Sequence, residues 1–248
     1  MNRFESPCVR NYPPIRLSFA ILTHNEQIEF VWLMDALAPI LDDTCEIVVL
    51  DDFSRPEVVD AIRRYNVRFH QRALQRNFSA QRNHLKSMCR GEFIFVVDPD
   101  EIPSPHLLRG LPAVLDAMRR EDIDACALPR LNILVESPHP VHVNTLALTN
   151  GDLQAAPRDD QMRLIRNRPE ILWINHVHER LVGVKRCYRF PQDLRYALFH
   201  CKTLSRARAQ NRFYRRIPSR YIDKFRKSLA KRFGALDRID WVEIPCPI

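Results

Sequence analysis

Residues 91 to 101 read GEFIFVVDPDE. Phe93 to Val97 is an unbroken run of five apolar residues with no polar alternation. A run that short, apolar on both sides and bounded by polar residues, is a strand buried on both faces. It stops at Asp98-Pro99-Asp100-Glu101. In an extended segment, side chains at i and i+2 point the same way, so Asp98 and Asp100 are expected to face one ligand. Two carboxylates at a strand end suit a hard divalent cation, Mg²⁺ or Mn²⁺, carried on a diphosphate. The other use of Asp and Ser at such a place is to turn the chain and cap the helix that follows.

Two further segments have the same character. Arg16 to Thr23 (RLSFAILT) runs into His24-Asn25-Glu26, and Glu46 to Leu50 (EIVVL) into Asp51-Asp52. Helical spacing lies between and after them. In residues 26–41, Phe30, Leu33, Met34, Leu37 and Leu41 share a face. Residues 56–65, 78–89 and 105–120 read as further helices, the last with Leu107, Leu108, Leu111, Val114, Leu115 and Met118 inward. Val67 to His70 and Ala125 to Leu131 read as strands. Continuous apolar strands alternating with helices predict an α/β fold, a parallel sheet with helices on both faces. Ligands of such sheets gather at the carboxyl ends of the strands, so the three polar clusters are expected to form one site.

After Asn132 the rhythm breaks. Residues 132–160, with His139 and His142, read as an insertion or lid. Short strands are expected at 162–165, 171–174, 188–190 and 197–200. The chain divides on this reading into an N-terminal extension (1–15), a main domain reaching residue 201, and a basic helical segment (202–248). From Lys202 to Phe233 there are twelve Lys or Arg and one acid, Asp223, so the formal charge of +8 belongs to that segment.

Composition removes several classes. Hydrophobic residues make up 46%, enough for a core rather than a disordered chain. The five glycines are scattered, so neither a phosphate-binding P-loop nor a dinucleotide fingerprint can be built. Seven cysteines without CxxC spacing indicate neither a zinc cluster nor a disulfide framework, and a reducing, cytoplasmic setting is expected. No apolar run approaches the roughly 20 residues that span a bilayer, so any membrane contact is expected at its inner surface.

Five segments, in order, resemble the family 2 glycosyltransferases of GT-A fold, in a bacterial or phage subgroup with a VHE motif: LSFAILTHNE (17–26), EIVVLDDFS (46–54), NFSAQRN (77–83), GEFIFVVDPDE (91–101) and RLIRN (163–167) followed by HVHE (176–179). The resemblance implies a nucleotide-sugar-binding, Rossmann-like sheet, an inverting transfer from a nucleoside-diphosphate sugar (first a UDP-sugar) to an acceptor hydroxyl, and a Mn²⁺ or Mg²⁺ cofactor. It places Thr23, Asn25 and Glu26 around the nucleotide, Asp51 on the base, Arg82 at the diphosphate or ribose, and Asp98 on ribose or sugar hydroxyls and among the metal ligands. Asp100 would ligate the metal, with His200 completing the site and His176 within reach of it. The family commonly has glycine and a second acid where this chain has Phe53 and Arg55.

Displacement at an anomeric carbon needs a group to take the acceptor's proton, and Glu179, with His178 as the alternative, is expected to be that base. Pairing of Glu179 with Arg163 or Arg180 is the competing expectation. Arg208, Arg212, Arg215 and Arg216, with interleaved aromatics, suit a polyanionic acceptor. Either a hydroxymethylated DNA base, flipped into the pocket, or an anionic envelope glycolipid such as a lipopolysaccharide core would answer to them. The alternatives are a packed helix with solvated charges, a non-catalytic DNA- or membrane-binding module, and a nucleotidyltransferase. The last is disfavoured because THNE stands where those enzymes carry a Gly-rich basic loop.

Overall fold

The computed structural model describes residues 14–135, 141–143, 159–203 and 239–248. The main sheet begins with β1 (Leu17–Thr23) and β2 (Cys45–Asp51), which pair in parallel over their whole length. β3 (Arg68–Gln71) continues parallel beyond β2, and β4 (Phe93–Val96) lies parallel on the other side of β1. Between them run α1 (Gln27–Leu37), α2 (Pro56–Arg63) and α3 (Phe78–Met88).

β5 (Glu101–Pro103) leads into α4 (Pro105–Arg120), whose first turn is capped by Ser104 and opened by Pro105. β6 (Ala125–Val135) is followed by β7 (Val141–Val143) and β8 (Asp160–Arg166), both antiparallel to it. β9 (Leu172–Ile174) and β10 (Arg180–Val182) form a separate hairpin. β11 (Arg186–Arg189), β12 (Leu198–Thr203) and β13 (Asp240–Val242) complete the set. The main order is β13-β11-β6-β8-β4-β1-β2-β3, with β12 joining β5 to β6.

Alternate residues of the central strands serve two cores. Phe19, Ile21, Ile47, Val49, Phe93 and Phe95 face α1, α2 and α4. Ala20, Val48, Leu50, Ile94 and Val96 face α3 and the β9–β10 hairpin, where Leu85 and Trp173 lie. This two-sided burial is why the strands read as continuous apolar runs.

The expectation of a parallel sheet needs a correction. β8 inserts between β4 and β6 and is antiparallel to both, so the sheet is mixed. A run of strand residues without alternation reports burial on both faces but not direction.

The last residues also differ from the helical expectation. Val242, Ile244, Cys246 and Ile248 alternate with Pro245 and Pro247, and the apolar set packs on the main core. That is a period of two, with prolines that no helix interior would accept. Tyr196 donates to the Ile248 carbonyl at 3.0 Å. Gly110 on α4 leaves room for the Ile248 side chain, which would lie 2.5 Å from an added Cβ. The helices expected on either side of Pro218, and Arg208, Arg212, Arg215 and Arg216 with them, lie outside the described residues, as does His139. Among the described residues, no helix is long and apolar enough to cross a membrane.

The described cysteines are unpaired. Burial pushes the Cys89 and Cys187 thiols up to about 12, so they pack as small apolar groups.

Candidate active site

A cavity of about 680 Å³ opens at the carboxyl ends of β1, β2 and β4, under the β9–β10 hairpin. Thr23, His24, Glu26, Asp52, Arg82, Asp98, Asp100, Arg163, His178, Glu179 and His200 all contribute to its wall.

On the β1–β2 side, Thr23 donates to Glu26 at 2.9 Å. Asn25 takes a left-handed backbone (φ 64°) and joins two loops. Its N–H donates to Ser54 Oγ at 2.7 Å, and its Oδ1 accepts from Arg55 N at 2.9 Å. Phe53, where the family resemblance leads one to expect glycine, has φ 50°. The loop thus keeps the conformation that favours glycine while carrying a side chain, at a cost of order 1 kcal/mol.

Asp51 is fully buried and accepts from Ser54 N at 2.9 Å, Gln71 Nε2 at 2.9 Å and the Ser54 hydroxyl. Neither Asn25 nor Asp51 reaches the cavity wall. The carboxylate that does so from this loop is Asp52, whose Oδ1 accepts from Leu74 N at 2.9 Å.

The acidic segment after β4 is a tight turn, closed by Glu101 N donating to Asp98 O at 2.9 Å. Proline at its second position fixes φ for such a turn. The extended geometry expected of Asp98 and Asp100 is therefore absent, and the two carboxylates have different partners. Asp98 accepts from Arg82 Nη2 at 3.2 Å on each oxygen and from Arg163 Nη2 at 2.7 Å. Burial alone would raise its pKa, but the two guanidiniums outweigh burial and hold the carboxyl far below the usual range. Asp100 Oδ2 lies 3.5 Å from His200 Nε2. Cys201 N, the next link of β12, donates to the Asp100 carbonyl at 2.8 Å and fixes this pairing.

Glu179 comes from the hairpin loop. Asn175 and His178 in that loop have φ of 72° and 53°, and Phe78 N at the start of α3 donates to the His176 carbonyl at 3.0 Å. Non-glycine residues held left-handed in one short loop are the kind of strain that clusters at functional sites. Glu179 Oε1 accepts from Arg82 Nε at 3.0 Å. The ion-pair partner is thus Arg82 rather than Arg163 or Arg180, and Arg82 ties Glu179 to Asp98 across the cavity. Burial would lower the pKa of Arg82, but the two carboxylates raise it further, so it is a permanent cation. His176 is not on the wall.

Several further charged and polar side chains pack around these residues. Glu101 is fully buried and accepts from Arg163 at 2.6 Å and Arg130 at 3.3 Å. Asn132 contacts His200 and Asp159. Arg130, Asn132 and Asp159 sit in or beside the stretch expected to be an insertion, with no motif around them. The β6–β8 and β6–β12 pairings bring Arg130 to the cavity wall, with Asp159 bonded to it and Asn132 bonded to Asp159.

The donor set suits a divalent cation bound together with a diphosphate. Among the described residues no cluster of three or more His, Cys, Asp or Glu is placed to hold a metal. Asp100 and His200 set a carboxylate and an imidazole side by side, and Mg²⁺-type ions are commonly held by one or two protein groups with phosphate and water supplying the rest.

The sheet order, the helices on both faces and the polar cavity at the carboxyl ends of the first strands define an α/β fold of GT-A type. Residues 18–182 match the sequence model described as "Glycosyl transferase family 2", and the chain belongs to that family. Similar solved structures include Staphylococcus aureus TarS 1–349, at 19% identity over 61% of this chain and 47% of that one, TM-score 0.44. The Pyrobaculum calidifontis mannosyltransferase PcManGT, in complex with GDP-Man and Mn²⁺, shares 21% over 48% and 36%, TM-score 0.41. The Mycobacterium tuberculosis glucosyl-3-phosphoglycerate synthase, in complex with Mn²⁺, UDP and phosphoglyceric acid, shares 16% over 47% and 43%, TM-score 0.39. This chain thus spans about half the length of the TarS chain or less of the others. No curated protein matches it.

Proposed function

We propose that the protein is an inverting, divalent-metal-dependent transferase that moves a sugar from a nucleoside-diphosphate donor, first a UDP-sugar, to an acceptor hydroxyl. The observation that carries this reading is that Asp100, His200 and Glu179 line one cavity, in which Arg82 joins Glu179 to Asp98.

Thr23, Glu26 and Asp52 border the nucleotide end, and Asp51 and Asn25 hold the two loops that shape it. Asp100 and His200 would hold Mn²⁺ or Mg²⁺. When bound, the cation neutralises charge that develops on the departing diphosphate. Arg82 supplies a fixed positive charge beside the same oxygens, already oriented by two carboxylates. Asp98, clamped by Arg82 and Arg163, directs those cations and offers its remaining lone pairs to sugar hydroxyls.

Glu179 is the base, held towards the cavity by its bond from Arg82. As the acceptor oxygen bonds to the anomeric carbon from the face opposite the leaving group, the acceptor O–H proton passes to Glu179. The bond from that carbon to the diphosphate oxygen breaks and the nucleoside diphosphate departs. The anomeric configuration inverts. His178, on the same wall, is the second candidate for the proton.

The acceptor is polyanionic on this reading. The basic stretch from Lys202 to Phe233 leaves from β12, which carries His200, and the chain returns at Ile239 on the cavity wall. Arg208, Arg212, Arg215 and Arg216 would engage phosphates of DNA bearing hydroxymethylated bases or of an anionic glycolipid. Donor turnover with Mn²⁺ tests the chemistry. Glu179→Gln is expected to lose at least about 100-fold in transfer, the usual size of a general-base contribution, while binding donor normally. Unchanged transfer in that variant would remove Glu179 from the reaction. A gel shift with duplex DNA against pull-down on anionic vesicles separates the two acceptor classes.

A further inference from the structure

His200 and Asn132 sit opposite each other on paired strands: the β6–β12 register aligns His200 with Asn132. His200 Nδ1 lies 2.7 Å from Asn132 Oδ1. A carboxamide can present either its oxygen or its NH₂ to a neighbour, and here a second contact decides which. Asn132 Nδ2 lies 3.1 Å from Asp159 Oδ2, an acceptor-only oxygen, so the NH₂ must point there. Asp159 is itself held in place, by Arg130 Nε at 2.9 Å and Gln161 Nε2 at 2.7 Å. The amide oxygen therefore faces the ring, and the imidazole nitrogen opposite an acceptor must carry the hydrogen.

We infer that Asn132 is a positioning residue that locks His200 as the Nδ1–H tautomer, so that its Nε2 lone pair stands beside the Asp100 carboxylate as a preformed half-site for a divalent cation. The inference rests on the metal role proposed above for Asp100 and His200. It adds the relay Arg130–Asp159–Asn132–His200, which starts on β6 and ends at the cavity.

The chemistry is economical. A neutral imidazole binds metal through its unprotonated nitrogen, and a partner on the other N–H fixes both ring orientation and tautomer. Nε2 and Asp100 Oδ2 are 3.5 Å apart, and in the Nδ1–H tautomer no hydrogen lies between them. Two electron-rich atoms at that distance repel each other, and a cation between them removes the repulsion. Without the Asn132 oxygen, the hydrogen would move to Nε2 and close the pair as an ordinary hydrogen bond to Asp100. The sequence hides this, because Asn132 opens a stretch with no motif and Asp159 lies 27 residues away.

The test has two readouts, the first needing neither metal nor turnover. The ¹⁵N spectrum of histidine-labelled, metal-free protein near pH 8, above the ordinary imidazole pKa of about 6.5, identifies the tautomer of each ring. His200, assigned by its loss in His200→Ala, is expected with a protonated Nδ1 and a bare Nε2. In Asn132→Leu the Nε2–H form is expected to appear, and in Asn132→Asp, which keeps an acceptor, the wild-type tautomer is expected to persist. An Nε2–H ring or a doubly protonated ring in the wild type would overturn the inference, whether or not any variant folds.

The second readout is Mn²⁺ affinity by titration calorimetry in the presence of a nucleoside diphosphate. Asn132→Leu is expected to weaken it roughly 10- to 100-fold, and Asn132→Asp to restore most of the loss. Equal affinity in wild type and Asn132→Leu would contradict the inference. Equal affinity in wild type and Asp100→Ala would instead contradict the metal role of Asp100, so the two failures are told apart.

Discussion

Asp98 shows how much a single side chain in this protein depends on groups remote in sequence. Two guanidiniums, from α3 and β8, converge on it, and each has a second carboxylate, Glu179 or Glu101. Removing one charge from a buried cluster of this kind leaves its partners uncompensated, typically at about 3–5 kcal/mol. Asp98→Asn is therefore expected to lower stability by that order, measured by denaturant unfolding at neutral pH. The same cluster sets an acid limit. A carboxyl whose pKa falls on folding stabilises the fold fully above its unfolded value, near 3.8, and loses that contribution as the pH drops towards its folded value. Wild-type stability is expected to fall steeply below about pH 4, and the part of that slope due to Asp98 is expected to vanish in Asp98→Asn. At this scale the sequence reveals residue types and order but not partners. Asp98, Asp100, Arg82 and Glu179 are legible as candidates because each stands in a motif. That Arg82 would join Asp98 to Glu179, 97 residues apart from Arg82 in sequence, depends on a fold-level approach of α3 to the β9–β10 hairpin.

Among the elements, that hairpin decides where Glu179 stands. β9 packs against α3, Asn83 clasps the Trp173 backbone from both sides at 2.8 and 2.9 Å, and Gly183 closes the far end with φ 80°. A Cβ on Gly183 would lie 2.0 Å from the Glu170 carbonyl oxygen. Gly183→Ala is expected to destabilise by more than about 1 kcal/mol, since both the positive φ and the contact oppose it, and to reduce kcat through displacement of Glu179. Thermal melting and steady-state kinetics check the two effects. The C-terminal strand β13 is the contrasting case. Val242, with Ile244 and Ile248 beyond it, packs on the core that α4 covers, and none of residues 240–248 lines the cavity. Removing residues 240–248 is expected to lower the melting midpoint while leaving Mn²⁺ affinity in the presence of nucleoside diphosphate unchanged. Elements with long unbroken patterns, β1, β2, β4 and α4, are plain in the sequence. The short strands β5, β7, β10 and β13 are not, because three residues carry too little periodicity to be distinguished from a loop.

The whole molecule follows from two-sided burial. Continuous apolar strands need cover on both faces, helices and the hairpin supply it, and the strand ends left over on one side become the polar cavity. That much of the architecture, including the convergence of three polar clusters, can be read from the sequence alone. The antiparallel insertion of β8 cannot, since direction leaves no mark on composition. Yet β8 brings Arg163 to Asp98, so the electrostatics of the site rest on the part of the fold that is hardest to foresee. The central claim is that this cavity binds a nucleoside diphosphate through a divalent cation at Asp100. The most direct measurement is the melting temperature in a panel of nucleoside diphosphates, with and without Mn²⁺, for wild type and Asp100→Ala. A ligand that binds only the folded state must raise it, by about 2.7 kcal/mol of added stability at a hundredfold excess over Kd. The account predicts a rise with at least one diphosphate, present only with Mn²⁺ and lost in Asp100→Ala. A rise of equal size without Mn²⁺ or in the variant, or no rise with any diphosphate, would contradict it.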